Sequence, residues 1–472
     1  MLKKITLLFL WGSLFTYGQC YNGFQIGEYH ITSIKSDGTL WGWGSSDAGS
    51  LGNTNSINPT PFQIGTATDW LKVSAGAYNT FIIKTNGTLW AMGDGRYGLL
   101  GNGSTTTINS TLQQIGSATN WQKISSSTQM TIGLKTDGTI WGWGQNDQYE
   151  MGNNTCCANQ LTPIQIGIAN HWVDVEATSW GATVFALKND GTIWGWGLNT
   201  GGLLGNSTVM ARSIPTQLNA DTDWASIHVG AAHILALKTN GTLWSWGGGE
   251  YGQTGDNFPS SYYRDTPTQV GTSTWSKVFA GWKVSFGIKP DGTLWAWGLN
   301  DVGQLGIGNT TNQFTPVQVG TDTDWVDVVS GGSGNDQFTI ATKSDGTVWA
   351  WGDNQVGQYG NGTVGNPVYV PTLMTGLCAT LSATEFQQEN VFSMYPNPAK
   401  DMVNLAYNLN DTDAIDATVS IYDVTGRLIH EVALDTVSGT RKLNVSTYPT
   451  GVYLVLVKRG AAVVSSSKLV VE

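Results

Sequence analysis

Five histidines are the first residues to weigh for proton transfer: His30, His171, His228, His233 and His430. His30 and His233 hold one position of a recurring segment in which other copies carry Asn79, Met130, Thr183 or Val284. A position that takes an amide, a thioether or a valine is structural rather than a general base. Asp37, Asp137, Asp190, Asp291 and Asp345 each precede a glycine, and Asn86 and Asn240 replace them in two further copies. A turn explains these carboxylates without paired acid–base chemistry. No glycine-rich loop runs on into the Lys-Ser or Lys-Thr that a phosphate-binding loop requires. Structural zinc needs about four convergent Cys or His ligands, and no histidine neighbours the Cys156–Cys157 pair. The residues thus predict no catalytic group, no metal, no cofactor and no enzyme.

Aromatic residues offer a different chemistry. Tyr29, Tyr78, Trp180 and Trp282 fall in turns between the first and second strands of successive repeats. Flat amphipathic rings on a rigid frame suit stacking on a sugar or a protein hot spot. Packing of these rings against neighbouring turns is the alternative. Gly331 to Gln337 is an insertion at the corresponding place of the last repeat.

The element that positions them is a repeated hairpin. Lys289-Pro290-Asp291-Gly292-Thr293-Leu294-Trp295-Ala296-Trp297-Gly298 reads as strand, turn and strand. Asp-Gly predicts a type I′ turn, and Leu294, Trp295, Ala296 and Trp297 alternate with the period of a strand. The core recurs with turn glycines Gly38, Gly87, Gly138, Gly191, Gly241, Gly292 and Gly346, about fifty residues apart. Each unit opens on an aromatic: Tyr21, Trp70, Trp121, Trp172, Trp224, Trp275 or Trp325. About four strands per unit give the anatomy of a propeller blade, with tryptophans buried between blades. Twenty-two tryptophans and sixty-one glycines with 12% charged residues agree with an all-β fold. The net charge of −11 excludes a nucleic-acid or anionic-membrane partner, since both need clustered lysine and arginine. The recurring lysines flank the turns, which is a structural use of them.

Trp297-Gly-Leu-Asn-Asp-Val-Gly-Gln-Leu-Gly306, nearly repeated at Trp351 to Gly360, resembles the repeats of the regulator of chromosome condensation. The resemblance covers Tyr21 to about Gly376 and implies a seven-bladed β-propeller. It implies no single function, because that propeller hosts nucleotide exchange, inhibitor binding and adhesion. Guanine-nucleotide exchange on chromatin suits an acidic, exported chain poorly. A secreted inhibitor resembling the β-lactamase-inhibiting propeller is the alternative to a general binding module. In a closed ring Cys20 and Cys378 flank adjacent ends. A disulfide between them would clasp a loop of over three hundred residues, an effect of several kcal/mol in the entropic account. Cys156 and Cys157 could form a vicinal disulfide or stay reduced.

Both ends of the chain carry export signals. Lys3 and Lys4 precede an apolar run, Ile5 to Phe15, too short to span a bilayer, so residues 1–19 read as a signal peptide. Gln19 before Cys20 disfavours a lipoprotein signal, and no stretch reads as a transmembrane segment. The propeller is assigned to 20–379, a linker to 380–391 and a second domain to 392–472. Six short strands there suggest a small Ig-like antiparallel sandwich. Tyr395-Pro396-Asn397-Pro398, Ile421 to Arg427 with Gly426, Gly451-Val452-Tyr453-Leu454 and Lys468 to Val471 resemble the C-terminal sorting domain of type IX secretion. That resemblance implies passage through the outer membrane, partnership with the secretion machinery and its sortase-like peptidase, and a mature protein that is released or held at the surface. The resulting expectation is a binding module that presents propeller loops to an extracellular protein or glycan.

Overall fold

The computed structural model describes residues 21–53, 55–178, 182–257, 263–332, 336–375, 377, 392–409, 417–423, 428–434, 436, 438–459 and 462–472. Its repeated hairpin differs from the turn expected. In the first copy Gly38 N donates to Lys35 O and Lys35 N to Thr39 O, so the loop has three residues. Positive φ falls on Gly38 (78°) and not on Asp37. This is a turn closed by a left-handed glycine, where type I′ would need positive φ at two positions. The aspartate has a different task. Asp37 Oδ1 accepts from Thr39 N at 3.0 Å and from Thr39 Oγ1 at 2.5 Å, and Trp41 Nε1 donates to that hydroxyl at 2.8 Å. The same relay recurs in the other six copies, with the amide oxygens of Asn86 and Asn240 accepting as a carboxylate would. Glycine is demanded by space as well as by φ: a Cβ on Gly292 would lie 2.0 Å from the carbonyl oxygen of Thr323.

Each repeat forms one four-stranded antiparallel sheet, and there are seven. Blade 1 runs from Tyr21 to Gln63, blade 2 from Trp70 to Gln114, blade 3 from Trp121 to Gln165 and blade 4 from Trp172 to Gln217. Blade 5 runs from Trp224 to Thr274, blade 6 from Lys277 to Gln318 and blade 7 from Trp325 to Leu373. The first strands of neighbouring blades lie side by side around the whole ring, with Trp325–Gly331 returning to Tyr21–Ile26. They therefore line the axis. Among the described residues there is no α-helix, only single 3-10 turns such as Asp47–Gly49.

Tryptophan works in two ways, one between blades and one within each blade. The second tryptophan of each Trp-x-Trp-Gly is buried and donates its indole N–H to a loop carbonyl of the preceding blade. Trp143 reaches Leu99 O at 2.8 Å, Trp196 Glu150 O at 2.8 Å, Trp297 Gln253 O at 3.0 Å and Trp351 Gln304 O at 2.8 Å. Trp43 of blade 1 reaches Gln358 O of blade 7 at 2.8 Å, which carries the same bond across the closure. The first tryptophan instead covers the hairpin lysine together with the aromatic that opens the blade. Lys135 Nζ lies 4.8 Å from the Trp121 centroid and 3.6 Å from that of Trp141. Where an aspartate precedes the opening tryptophan, it draws the ammonium off the ring: Lys343 sits 4.7 Å from Trp349 but 2.6 Å from Asp322 and 3.2 Å from Asp324.

The contacts divide the chain into two units, Met1–Thr380 and Leu381–Glu472. The second holds a three-stranded and a four-stranded antiparallel sheet. Val403, Leu405 and Tyr407 from the first and Val419, Ile421, Val455 and Val457 from the second fill one buried core.

Candidate binding face and axial channel

At one end of the propeller the turns between first and second strands converge on the axis. Gly27, Gly76, Ser127, Gly281 and Gly331 surround a cavity of about 100 Å³ there. Backbone bonds link these turns blade to blade: Glu28 N donates to Ala77 O at 3.0 Å and Ala231 N to Trp282 O at 3.1 Å. Tyr29 and Tyr78, both half-buried, meet with centroids 6.2 Å apart and planes tilted by 41°. Burial, followed by the neighbouring Glu28 carboxylate, pushes the Tyr78 hydroxyl up. Burial likewise raises Asp336, which accepts a hydrogen bond from Tyr29.

Trp282 stands one residue out of step with the tyrosines. His30 pairs with Gly44 and Val284 with Gly298 at equivalent positions, so Lys283 is the counterpart of Tyr29 and Tyr78. Trp282 lines the axial mouth and an adjoining cavity of about 440 Å³ that also touches Glu250, Tyr263 and Lys283. Lys283 Nζ lies 4.1 Å from the Tyr251 centroid and 4.4 Å from that of Trp282. Trp180 and residues 333–335 of the insertion lie outside the described residues.

Below the mouth lies a charged cluster that the sequence reading did not single out. On the axial strands Lys123 Nζ is 2.5 Å from Asp174 Oδ1 and 3.1 Å from Glu176 Oε1. Glu176 also accepts from Val229 N at 2.8 Å and lies 3.9 Å from His228 Nδ1. Burial opposes the Lys123 charge, but Glu176 and Asp174 more than offset it and leave the ammonium above its ordinary range. Burial holds His228 down and Asp327 up. Lys123 bridges the two carboxylates and offsets one of their two negative charges. The signal for it was positional: Lys72, Lys123, Asp174, Lys277 and Asp327 all stand two residues after a blade-opening tryptophan.

His30 and His233 are buried hydrogen-bond partners, His30 to Thr80 Oγ1 at 3.1 Å and His233 to Ser285 Oγ at 2.8 Å. Burial lowers His30 to about 4 and His233 to about 3. Among the described residues no group of three or more His, Cys, Asp or Glu is placed to hold a metal ion. The sulfur atoms of Cys156 and Cys157 lie in contact on the blade 3 loop, placed as in a vicinal disulfide. Cys20 and Cys378 lie outside the described residues.

In the second unit Tyr395, Pro396, Asn397 and Pro398 are exposed, and Asn397 bonds to the last strand. Gly451 opens the strand Gly451–Arg459, in which buried Tyr453 donates to Pro449 O at 2.7 Å. Lys468 is exposed, and Gly426 lies outside the described residues.

Seven such sheets around an axis, joined by tryptophan, define a β-propeller of repeated hairpins with a separate β-rich tail. The chain belongs to the regulator of chromosome condensation (RCC1) repeat proteins and ends in a secretion system C-terminal sorting domain. One RCC1 repeat profile matches residues 37–83, 137–183, 190–237, 291–335 and 345–385, and a second matches 70–99, 224–253, 275–304 and 328–358. The sorting-domain profile matches 393–472. The ultraviolet-B receptor UVR8 of Arabidopsis thaliana is 26% identical over 236 residues, which is 49% of this chain and 52% of that protein. The human regulator of chromosome condensation is 24% identical over 277 residues, covering 53% of this chain and 64% of that protein. The chain thus spans about half to two thirds of these relatives. Two solved structures share the fold. Prp20p of Saccharomyces cerevisiae has a TM-score of 0.60 at 20% identity, over 68% of this chain and 82% of that one. Human WBSCR16 has a TM-score of 0.61 at 20% identity, over 69% and 87%. The sorting domain points to type IX export and a cell-surface or secreted location. No helix of the described residues is long and apolar enough to cross a membrane.

Proposed function

We propose that this protein is an exported binding module that engages an extracellular protein or glycan through the turn end of its propeller. The observation that carries the reading is Trp282, which lines both the axial mouth and a cavity of about 440 Å³, with the Tyr29–Tyr78 pair on the same end of the propeller. Cavities of that size with aromatic walls and a few polar groups are the usual form of a ligand site. Binding is favoured over catalysis because, among the described residues, the carboxylates of the axial cluster are engaged by Lys123 and by Val229 N rather than left open to a ligand. A secreted enzyme inhibitor is a narrower form of the same reading.

The test is a glycan array probed with the whole chain, run beside affinity capture from culture medium. Tyr78→Ala and Trp282→Ala serve as paired controls. Selective binding that both variants lose supports the module and its face. Binding that both variants keep places the site elsewhere, and a chain that binds neither class refutes the proposal.

A further inference from the structure

Two stretches that stand 71 and 73 residues apart meet in the sorting domain. The strand Ala462–Val471 is the outermost of its sheet and pairs on one side with Gly451–Arg459. Its other side would present unpaired backbone groups, which natural proteins cover. The cover is the segment 397–399. Asn397 Nδ2 donates to Lys468 O at 2.7 Å, and Val470 N donates to Asn397 Oδ1 at 2.8 Å. Ala399 N then donates to Val470 O at 2.8 Å, and Glu472 N to Ala399 O at 2.9 Å. A parallel bridge, Ala399 to Val471, completes a short added strand.

Asparagine suits this place because one planar group offers a donor and an acceptor together. Aspartate would keep the acceptor and lose the donor, and alanine would lose both. The result fixes which side chains face outward. Leu469 and Val471 are buried, as is Ala399, while Tyr395, Pro396, Pro398 and Lys468 remain exposed. Tyr395 keeps 53% of its surface open; its carbonyl, not its ring, accepts from Asn404 Nδ2.

We infer that the export determinant of this chain is a composite surface, made of the Tyr395–Pro398 turn and the C-terminal strand, that Asn397 holds in register. Asn397 is a positioning residue. The partner is a protein of the export machinery that accepts an aromatic ring and prolines beside a lysine. This rests on the export reading given above.

The experiment expresses the full chain in a bacterium with type IX secretion and measures extracellular against periplasmic protein. Deletion of 392–472 is the control, and Asn397→Ala and Tyr395→Ala are the variants. The deletion should abolish export. Asn397→Ala should lower the exported fraction by about tenfold, the order expected from two lost hydrogen bonds. Tyr395→Ala should lower it comparably while the purified chain melts at the wild-type temperature, which a purely structural role would not produce. Should Asn397→Ala unfold the tail, Tyr395→Ala decides alone. Wild-type export of Tyr395→Ala overturns the composite surface and leaves Asn397 a structural tie. Export that survives the deletion removes the export reading itself, and the inference with it.

Discussion

Replacing Glu150 with glutamine should stabilise this protein at neutral pH and leave it unchanged in acid. Blades 5, 6 and 7 carry a buried glutamine at this loop position. Gln304 Oε1 accepts from Val302 N at 3.0 Å and its Nε2 donates to Asp301 at 2.9 Å. Gln358 and Gln253 accept the same way, at 2.9 Å each. Blade 3 has Glu150, fully buried, whose Oε2 accepts from Gln148 N at 2.7 Å. Its Oε1 has no hydrogen-bond partner, and Asp147 stands where Asp301 receives the amide. Burial, with Asp147 adding repulsion, raises the carboxyl from 4.5 to about 6.

The sign follows from that direction. A group whose folded value is raised contributes its stability below the unfolded value, pH 4.5, and loses it as the pH climbs through about 6. At 1.36 kcal/mol per unit the ionised carboxylate costs about 1–2 kcal/mol at pH 7. Glu150→Gln removes that cost and restores a donor toward Asp147. Urea midpoints followed by tryptophan fluorescence at pH 7.5, 6 and 4.5 would measure it. The variant should lead by about 1–2 kcal/mol at pH 7.5, with the gap closing toward pH 4.5. A gap independent of pH, or a less stable variant at pH 7.5, would refute the reasoning.

Lys343→Met should destabilise the chain by about 2 kcal/mol, because it leaves Asp322 and Asp324 facing each other without their cation. Lys135→Met should cost less than about 1 kcal/mol, since among the described residues Lys135 lies against Trp121 and Trp141 with no close ion pair, and burial already lowers its affinity for a proton; equal midpoint shifts in denaturant would contradict the distinction. Trp351→Phe should cost about 1–2 kcal/mol by removing the indole donor to the Gln304 carbonyl, which keeps only the Thr339 hydroxyl, and a smaller loss for Trp349→Phe in the same melt would mark the interblade bond as the cause.

The propeller was legible because its instructions are local. Asp37-Gly38-Thr39 states its own turn, and the alternation in Leu40-Trp41-Gly42-Trp43 puts both tryptophans on one face of the strand. The turn type was misread because Asp-Gly signals two geometries, and the Thr39 hydroxyl that captures Asp37 selects the three-residue loop. The site was legible only in part. Tyr29, Tyr78 and Trp282 share a turn in sequence, but a one-residue difference in register puts Trp282 at the axial mouth and Lys283 beside the tyrosines' level. The Lys123–Asp174–Glu176–His228 cluster escaped because its members come from three blades about fifty residues apart and meet only when the first strands of blades 3, 4 and 5 pack side by side. The tie of Asn397 to Lys468 and Val470 is hidden for the same reason: each motif was visible, and their contact depends on which strand lies at the edge of the sheet.

The most direct measurement of the account is hydrogen exchange on the whole chain, free and bound to the partner recovered by array or capture. Binding at the turn end predicts slowed exchange at Gly27–Tyr29, Gly76–Tyr78 and Gly281–Lys283, with the hairpins at Gly38, Gly87 and Gly292 unchanged. Protection confined to those hairpins, or to the outer strands of the blades, would contradict it.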